Sequence, residues 1–291
     1  MLFLYPALYG LLTFFLLMHC GCKILPPKQG STLPLETFCP GTISTSDYSE
    51  NTFSFTKDQR TLFVSRTTGW TIQQGLLATE QAGDFSTLTG PPLLDSIYNG
   101  AINPEGNKII FCVRKGSKES IYLTKKTANN WSKPINLSQT SNLEGGYFYW
   151  FSDTELYLYV SNQNGNIVQA QLLDDQLQIA NKMAHINTDE ATEFSIYMHP
   201  RKKFLIFSRY QDNNPAQQGL FISFNLGQPQ APNWSIPQKI DALPYGWNPY
   251  IHPSKKLFLF SDGEDILSLP MRQFNPLIQR LKKTAVSADQ H

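Results

Sequence analysis

The sequence predicts an all-β chain folded as a five-bladed β-propeller of four-stranded antiparallel blades. Three observations carry this. First, a tight turn feeding a short apolar strand recurs along the chain. It is clearest at Asn103–Arg114, His199–Arg209 and His252–Asp262, and weaker at Thr56–Arg66 and Ser152–Ser161. The anchor positions Thr56, Pro104, Ser152 and Pro200 lie 48 residues apart, and Pro253 follows after 53. A fixed period of this size marks a repeat architecture. Second, runs such as Phe204–Phe207 are apolar on both faces, so they need cover above and below. Radially stacked blades provide it, whereas a two-layer sandwich predicts alternation and no fixed period. Third, 19 Phe and 13 Tyr among 291 residues favour strands over helices, and 41% hydrophobic residues suffice for a sizeable core.

Taken in order, residues 1–22 read as a targeting segment. No charge interrupts Leu2–Met18, which is short for a membrane-spanning helix and suits a signal-peptide core. Cys20 and Cys22 stand where the run ends. The stretch resembles a bacterial lipoprotein signal, with Leu17 three residues before Cys20 and Gly21 just before Cys22, so both cysteines are lipidation candidates. The usual basic N-region is absent; a plain signal peptide or an uncleaved anchor is the alternative. Residues 23–32 read as a Pro-, Gly- and Ser-containing linker. The propeller is expected over 33–271, and a short amphipathic helix near Gln273–Lys283 within a 272–291 tail.

Each repeat divides into four strands. The first precedes the turn, as in Thr52–Phe55, Gly100–Asn103, Tyr147–Trp150, Phe194–Tyr197 and Asn248–Ile251. The second is the apolar run, and the third is a segment such as Ser120–Thr124 or Gly219–Phe224. The fourth is marked by Asn-Trp-Ser-x-Pro, found at Asn130–Pro134 and Asn233–Pro237, with Phe85–Thr87 a weaker copy. The last repeat lacks its outer strand. The segment Leu33–Ser46 has no other place in the scheme and is expected to supply that strand, which closes the ring and removes exposed edges. A Cys39–Cys112 bridge is open to the sequence, although Cys112 sits inside an apolar strand and suits a small core residue.

The phrase of turn, Pro-x-x-Lys, apolar run and Phe-Ser, followed by Ile-Tyr and by Trp-Ser-x-Pro, resembles the WD40-like repeat of TolB-type β-propellers. The likeness covers roughly residues 47–271. Pro104–Asn107 is nearest to the family's Pro-Asp-Gly-Lys turn; Pro200 and Pro253 keep the proline and lose the acid and the glycine. The resemblance implies an exported protein of the cell envelope, periplasmic or surface and membrane-tethered through its N-terminus. It also implies a module that binds a protein or an envelope component. Propellers host unrelated functions, so the likeness speaks to fold more than to activity.

Successive loops of an antiparallel blade alternate between the two ends of the ring. One end, here the upper face, holds the loops before strand one and those between strands two and three. Its channel mouth gives the candidate binding residues Glu50, Asn99, Glu144, Glu193, Tyr245 and Trp247. Arg66, Arg114 and Arg209 lie further out, and their plainer reading is that they pair with neighbouring carboxylates or carbonyls to tie the repeat together. For Tyr245 and Trp247 the plainer reading is packing under the last blade. The lower face holds the turns between strands one and two and is basic. Lys57, Arg60 and Lys108 lie in its first two turns; Arg201, Lys202, Lys203, Lys255 and Lys256 lie in its last two. Most turn lysines serve solubility; the sharper reading is contact with an anionic surface such as lipid headgroups.

A formal net charge of +1 gives no bulk attraction for nucleic acid. No nucleophile elbow, zinc-type His pair or phosphate loop occurs, so no catalytic residue, metal or cofactor is expected. A small-molecule or glycan ligand stays open. The alternative function is a carbohydrate-active enzyme of the same architecture, which needs paired carboxylates across one channel. Glu50, Glu144 and Glu193 fall six, eight and seven residues before their anchors, out of a common register.

Overall fold

The computed structural model describes residues 33–69, 72–88, 94–128, 130–162 and 165–288. The targeting segment, the linker, Cys20 and Cys22 lie outside them. The chain opens with β1 (Glu36–Thr37). Blade one follows as β2 (Ser49–Phe55), β3 (Thr61–Thr68), β4 (Ile72–Gln81), β5 (Asp84–Phe85) and β6 (Leu94–Asp95). Blade two is β7 (Asn99–Ile102), β8 (Lys108–Lys115), β9 (Lys118–Lys125) and β10 (Ile135–Asn136), with a helical turn α1 (Ser138–Ser141) after it. Blade three is β11 (Gly145–Trp150), β12 (Glu155–Val160), β13 (Asn166–Leu173) and β14 (Gln176–Lys182). Blade four is β15 (Thr192–Met198), β16 (Phe204–Tyr210), β17 (Gly219–Phe224) and β18 (Gln238–Lys239). Blade five is β19 (Trp247–His252), β20 (Leu257–Ser261) and β21 (Ile266–Pro270), and the helix α2 (Met271–Ala288) ends the described chain.

The five antiparallel sheets are the five expected blades. The sheet order β1-β21-β20-β19 shows how the ring shuts. Glu36 pairs with Ser268 and Thr37 with Leu267, so the start of the domain is the outer strand of its last blade.

The two-sided apolar strands follow from radial packing. In β8, Ile110 and Cys112 enter the core shared with blade three, and Ile109 and Phe111 the core shared with blade one. In β16, Leu205 and Phe207 face blade three while Phe204 and Ile206 face blade five. In β3, Leu62 and Val64 pack with Leu259 of β20, and Phe63 turns the other way. A strand with period-2 side chains thus serves two interfaces at once. Phe63 fits there because its neighbours lack side chains: a Cβ on Gly75 or Gly100 would lie 2.8 or 2.6 Å from its ring.

Hydrogen bonds tie every pair of adjacent blades. Ile102 N donates to Ser54 Oγ (2.7 Å) between blades one and two. Trp150 Nε1 donates to the Ala101 carbonyl (3.2 Å) between two and three, and Tyr149 OH to the Met198 carbonyl (2.9 Å) between three and four. Asn248 N donates to Ser195 Oγ (2.6 Å) between four and five. The closing interface is bonded most densely. Asn248 Nδ2 donates to the Phe53 carbonyl (2.8 Å), Trp247 Nε1 to the Asn51 carbonyl (2.7 Å) and Ser261 Oγ to the Glu50 carbonyl (2.7 Å).

Details differ from the expectation for local reasons. The Asn-Trp-Ser-x-Pro segments enter the outer strand rather than form it. Trp131 and Trp234 make single bridges, and β10 and β18 begin after the prolines. The motif serine takes the place of a ladder partner: Ser132 Oγ accepts from Lys125 N (3.1 Å), and Ser235 Oγ accepts from Phe224 N (3.0 Å). In blade one the fourth position is split, with β5 on the end of β4 and β6 on its start. The helix α2 is longer than expected because its apolar stripe continues past Phe274, Leu277 and Ile278 to Ala285. Phe274 is fully buried and stacks on Phe258 at 4.0 Å. Cys39 and Cys112 are free thiols; the latter is buried between blades two and three.

Candidate functional site

The strand-one turns recur because one side chain caps each of them. Asn103 Oδ1 accepts from Asn107 N and Lys108 N (2.9 and 2.7 Å), and Ser152 Oγ from Glu155 N (3.0 Å). His199 Nδ1 accepts from Arg201 N (3.0 Å), and His252 Nδ1 from Lys255 N (3.3 Å). The imidazoles must stay neutral at that nitrogen to do so. Burial, with Lys203 and Arg201 nearby, holds His199 below the usual histidine range; burial and Lys255 push His252 down to about 4. Four of the five turns also use a left-handed residue, the turn of blade three being the exception. Gly106 provides it in blade two (φ 71°), whereas Gln59, Lys202 and Lys256 adopt it (φ 61°, 48° and 53°) where glycine is missing.

On the upper face, the expected binding residues do not form one exposed cluster. Glu50 and Glu193 are fully buried, Asn99 is 3% exposed and Trp247 4%. The exposure expected of Trp247 is absent because its indole bonds blade one and packs edge-on to Tyr245 (6.1 Å). Tyr245 is half-buried and lies edge-on to Tyr210 (6.2 Å). Tyr147, at the same mouth, packs on Phe194 (4.8 Å) and Tyr159 (6.3 Å). Glu144 is half-buried and pairs with Lys118 at 3.6 Å.

The upper arginines serve the repeat. Arg209 Nε bonds Glu193 Oε1 (2.8 Å), Nη1 bonds Gln217 Oε1 (3.1 Å) and Nη2 bonds the Ile186 carbonyl (3.1 Å). Thr188 donates to the same carboxylate through N and Oγ1 (3.1 and 2.9 Å). Burial still raises the Glu193 pKa against those partners. Arg114 pairs with Glu119 and lies 3.8 Å over the Tyr98 ring. Arg66 occupies the strand register of Arg209, opposite Glu50, but its guanidinium stacks on Tyr48 at 3.8 Å. Glu50 is left with no side-chain partner. Burial, reinforced by Asp265 and only partly offset by Thr45 N–H and Arg66, raises it to about 8.

The cavity opens at the other end. A funnel of about 1040 Å³ lies on the lower face, between the channel and α2. Tyr149, Tyr197 and Tyr250 form its floor, with Tyr197 edge-on to both Tyr149 (5.6 Å) and Tyr250 (5.9 Å). They occupy one register of the innermost strands, where blade two has Ala101. Phe204, Phe224, Met271 and Ile278 wall one side, and Phe151 and Trp150 the other. The rim carries Lys57, Arg201, Lys203 and Lys282, with Glu105 and Asp153 facing them. Asp153 is held by Asn103 Nδ2 (2.6 Å) and Glu105 N (3.3 Å). Turn period and charge flagged the rim in the sequence. The floor was missed because its tyrosines read as ordinary strand residues, and α2 because a terminal helix carries no mark of where it docks.

The chain enters the ring on this same face. Glu36 lies opposite Ser268 at the middle of β21 and Thr37 opposite Leu267, so β1 runs from the lower face towards the upper, and Leu33 and Leu35 pack against the core that α2 covers. Among the described residues, no helix is long and apolar enough to cross a membrane, and no group of three His, Cys, Asp or Glu is placed to hold a metal.

No protein-family model and no curated protein matches the chain. Solved structures with similar folds include TolB from Acinetobacter baumannii, at 10% identity and TM-score 0.48, covering 77% of this chain and 54% of that one. A gluconolactonase from Xanthomonas campestris aligns at 12% identity and TM-score 0.44, over 86% and 99% of the two chains. A hypothetical protein from Leishmania major aligns at 10% identity and TM-score 0.45, over 80% and 87%. The chain thus spans about half the length of TolB. At these identities the neighbours carry no argument about activity, and the five sheets themselves establish the chain as a five-bladed β-propeller.

Proposed function

We propose that the chain is an exported, membrane-tethered propeller of the cell envelope that acts as a binding module, with the lower-face funnel as its seat. The observation that carries this reading is the funnel itself: a concave, aromatic-walled cavity of about 1040 Å³ with charged groups at its rim, the usual form of a binding site. Export and tethering rest on the uncharged run Leu2–Met18 and the cysteines that follow it. A tether entering beside α2 would hold the funnel towards the surface that anchors it. The carbohydrate-enzyme alternative is less favoured, because Glu193 is committed to Arg209 and Thr188 and Glu50 is sealed from solvent.

The test is affinity capture from native membranes with two sets of variants. Asn275→Trp and Gln279→Trp fill the funnel from the exposed side of α2. Tyr245→Ala and Glu144→Gln alter the upper mouth. Loss of the captured component with the first set alone supports the funnel. Loss with the second set alone returns the site to the upper face and overturns this reading.

A further inference from the structure

We propose that the funnel takes a single-chain amphiphile with an anionic, phosphate-type head and an ester-linked apolar tail. This rests on the funnel being the binding seat. The rim supplies the first argument. On the lower face, Lys125 pairs with Asp175, Lys202 with Glu155 and Lys255 with Glu80. The four cations that line the funnel are different. Lys57, Arg201, Lys203 and Lys282 are all exposed, and none forms an ion pair among the described residues. Neighbours in one turn therefore divide the work: Lys202 neutralises a carboxylate, while Arg201 and Lys203 keep their charge for something else. Against these four cations the rim carries two acids, Glu105 and Asp153, so it faces a ligand with excess positive charge. Convergent cations of this kind suit a phosphate or carboxylate.

The interior supplies the second. Below the rim the walls are Phe204, Phe224, Met271 and Ile278, which suit a hydrocarbon chain. The floor is not wholly apolar. Tyr197 is 3% exposed, lines the cavity and has no hydrogen bond for its hydroxyl among the described residues, and Tyr250 beside it likewise has none. Both hydroxyls therefore remain able to donate into the cavity that they line, and an ester carbonyl below a charged head would accept from them. The volume of about 1040 Å³ lies just above the about 300–1,000 Å³ typical of small-ligand sites, room for one acyl chain with its head.

Charge placement supplies the third. Exposed acids such as Asp189, Glu190, Asp212 and Glu264 outnumber the exposed lysines Lys115, Lys118 and Lys182 on the upper face. On the lower face exposed cations such as Arg60, Lys256 and Lys283, with those of the rim, outnumber exposed acids such as Asp58 and Asp174. The small net charge thus conceals a polarity that directs an anion to the funnel end. The chain also enters at that end, so the same chemistry could be met free in solution or at an anionic lipid surface.

The experiment is native mass spectrometry of the full chain with 1-oleoyl lysophosphatidate below its micelle threshold. Arms with oleoyl lysophosphatidylcholine, inorganic phosphate and hexaglutamate are compared. A flotation arm uses vesicles of phosphatidylcholine with and without phosphatidylglycerol. One lysophosphatidate per chain is expected, at least tenfold tighter than the choline lipid. Arg201→Glu with Lys203→Glu should weaken it at least tenfold, and Lys256→Glu with Lys283→Glu less than twofold. Binding to anionic vesicles that lysophosphatidate blocks places the source at a bilayer; binding of the monomer alone places it in solution; both support the proposal. Equal binding of the two lipids, or equal loss in both charge-reversed pairs, overturns it. Hexaglutamate binding that Gln279→Trp abolishes, without lipid binding, overturns the ligand class and leaves the funnel as the seat. Lipid binding unchanged by Gln279→Trp overturns both.

Discussion

Replacing Glu50 by glutamine should make the protein more stable above neutral pH and change the shape of its pH profile. Glu50 is fully buried, no side chain bonds its carboxyl, and Arg66 is held over Tyr48. Its native pKa is about 8, against 4.5 for the free group. The native state therefore holds a proton between those values that the unfolded state releases. Stability is full below about 4.5 and falls as pH rises towards 8. At about 1.36 kcal/mol per pH unit, the whole window is worth at most about 5 kcal/mol, and relaxation and water entry would lower this to about 2–3. His252 acts in the opposite sense. Its native pKa of about 4, against 6.5, makes stability fall as pH drops through that interval. The two slopes oppose each other between about 4.5 and 6.5, giving the wild type a plateau there. From pH 6.5 to 8 the His252 slope is gone and the Glu50 decline is no longer opposed by it; its share is at most about 2 kcal/mol, or about 4–8 °C in Tm. Urea unfolding of the wild type and Glu50→Gln at pH 5.5, 6.5, 7.25 and 8 reads this directly. The variant should decline less steeply than the wild type from 6.5 to 8. Parallel profiles would show that Glu50 is ionised in the native protein and refute the reasoning.

Two further perturbations follow from the packing. Arg209→Met removes the cation from a fully buried carboxylate that it bonds at 2.8 Å, and should cost about 3–5 kcal/mol in urea unfolding at pH 7. Arg60→Met, at an exposed turn, should change less than about 0.5 kcal/mol. Phe274→Ala empties the stack on Phe258 and should cost about 3–5 kcal/mol. It should also expose α2 to limited proteolysis ahead of the blades; simultaneous cleavage would show that the helix is not a separately docked element.

The architecture was legible because its cause is repetitive. Residues such as Phe204–Phe207 must satisfy two interfaces, so the apolar run is written in full and at a fixed interval. Closure was legible by exclusion: Leu33–Ser46 was strand-like and had no other place. The candidate site was less legible. Glu50, Glu193 and Trp247 read as loop positions beside the channel, but they lie in β2, β15 and β19, where Glu193 pairs with Arg209, Trp247 bonds blade one and Glu50 is buried with no side-chain partner. A sequence gives loop position, not whether a side chain turns to solvent. The funnel depends on Tyr149, Tyr197 and Tyr250 sharing a register around an axis and on a helix docking under blades four and five. Neither relation is local in sequence.

Every face assignment depends on the start of the domain being the outer strand of blade five. Thr37 and Leu267 are directly opposed across that pairing, in reach of a disulfide. The measurement is oxidation of Thr37→Cys/Leu267→Cys in a chain whose native cysteines are serine, or alanine at Cys112, read by mobility after proteolysis between the two sites. Rapid, near-complete crosslinking of the folded protein, lost in urea and absent from a Thr37→Cys/Leu123→Cys control, is the expected result. A pair that fails to crosslink while the protein stays folded would place residues 36–37 elsewhere and contradict the closed ring.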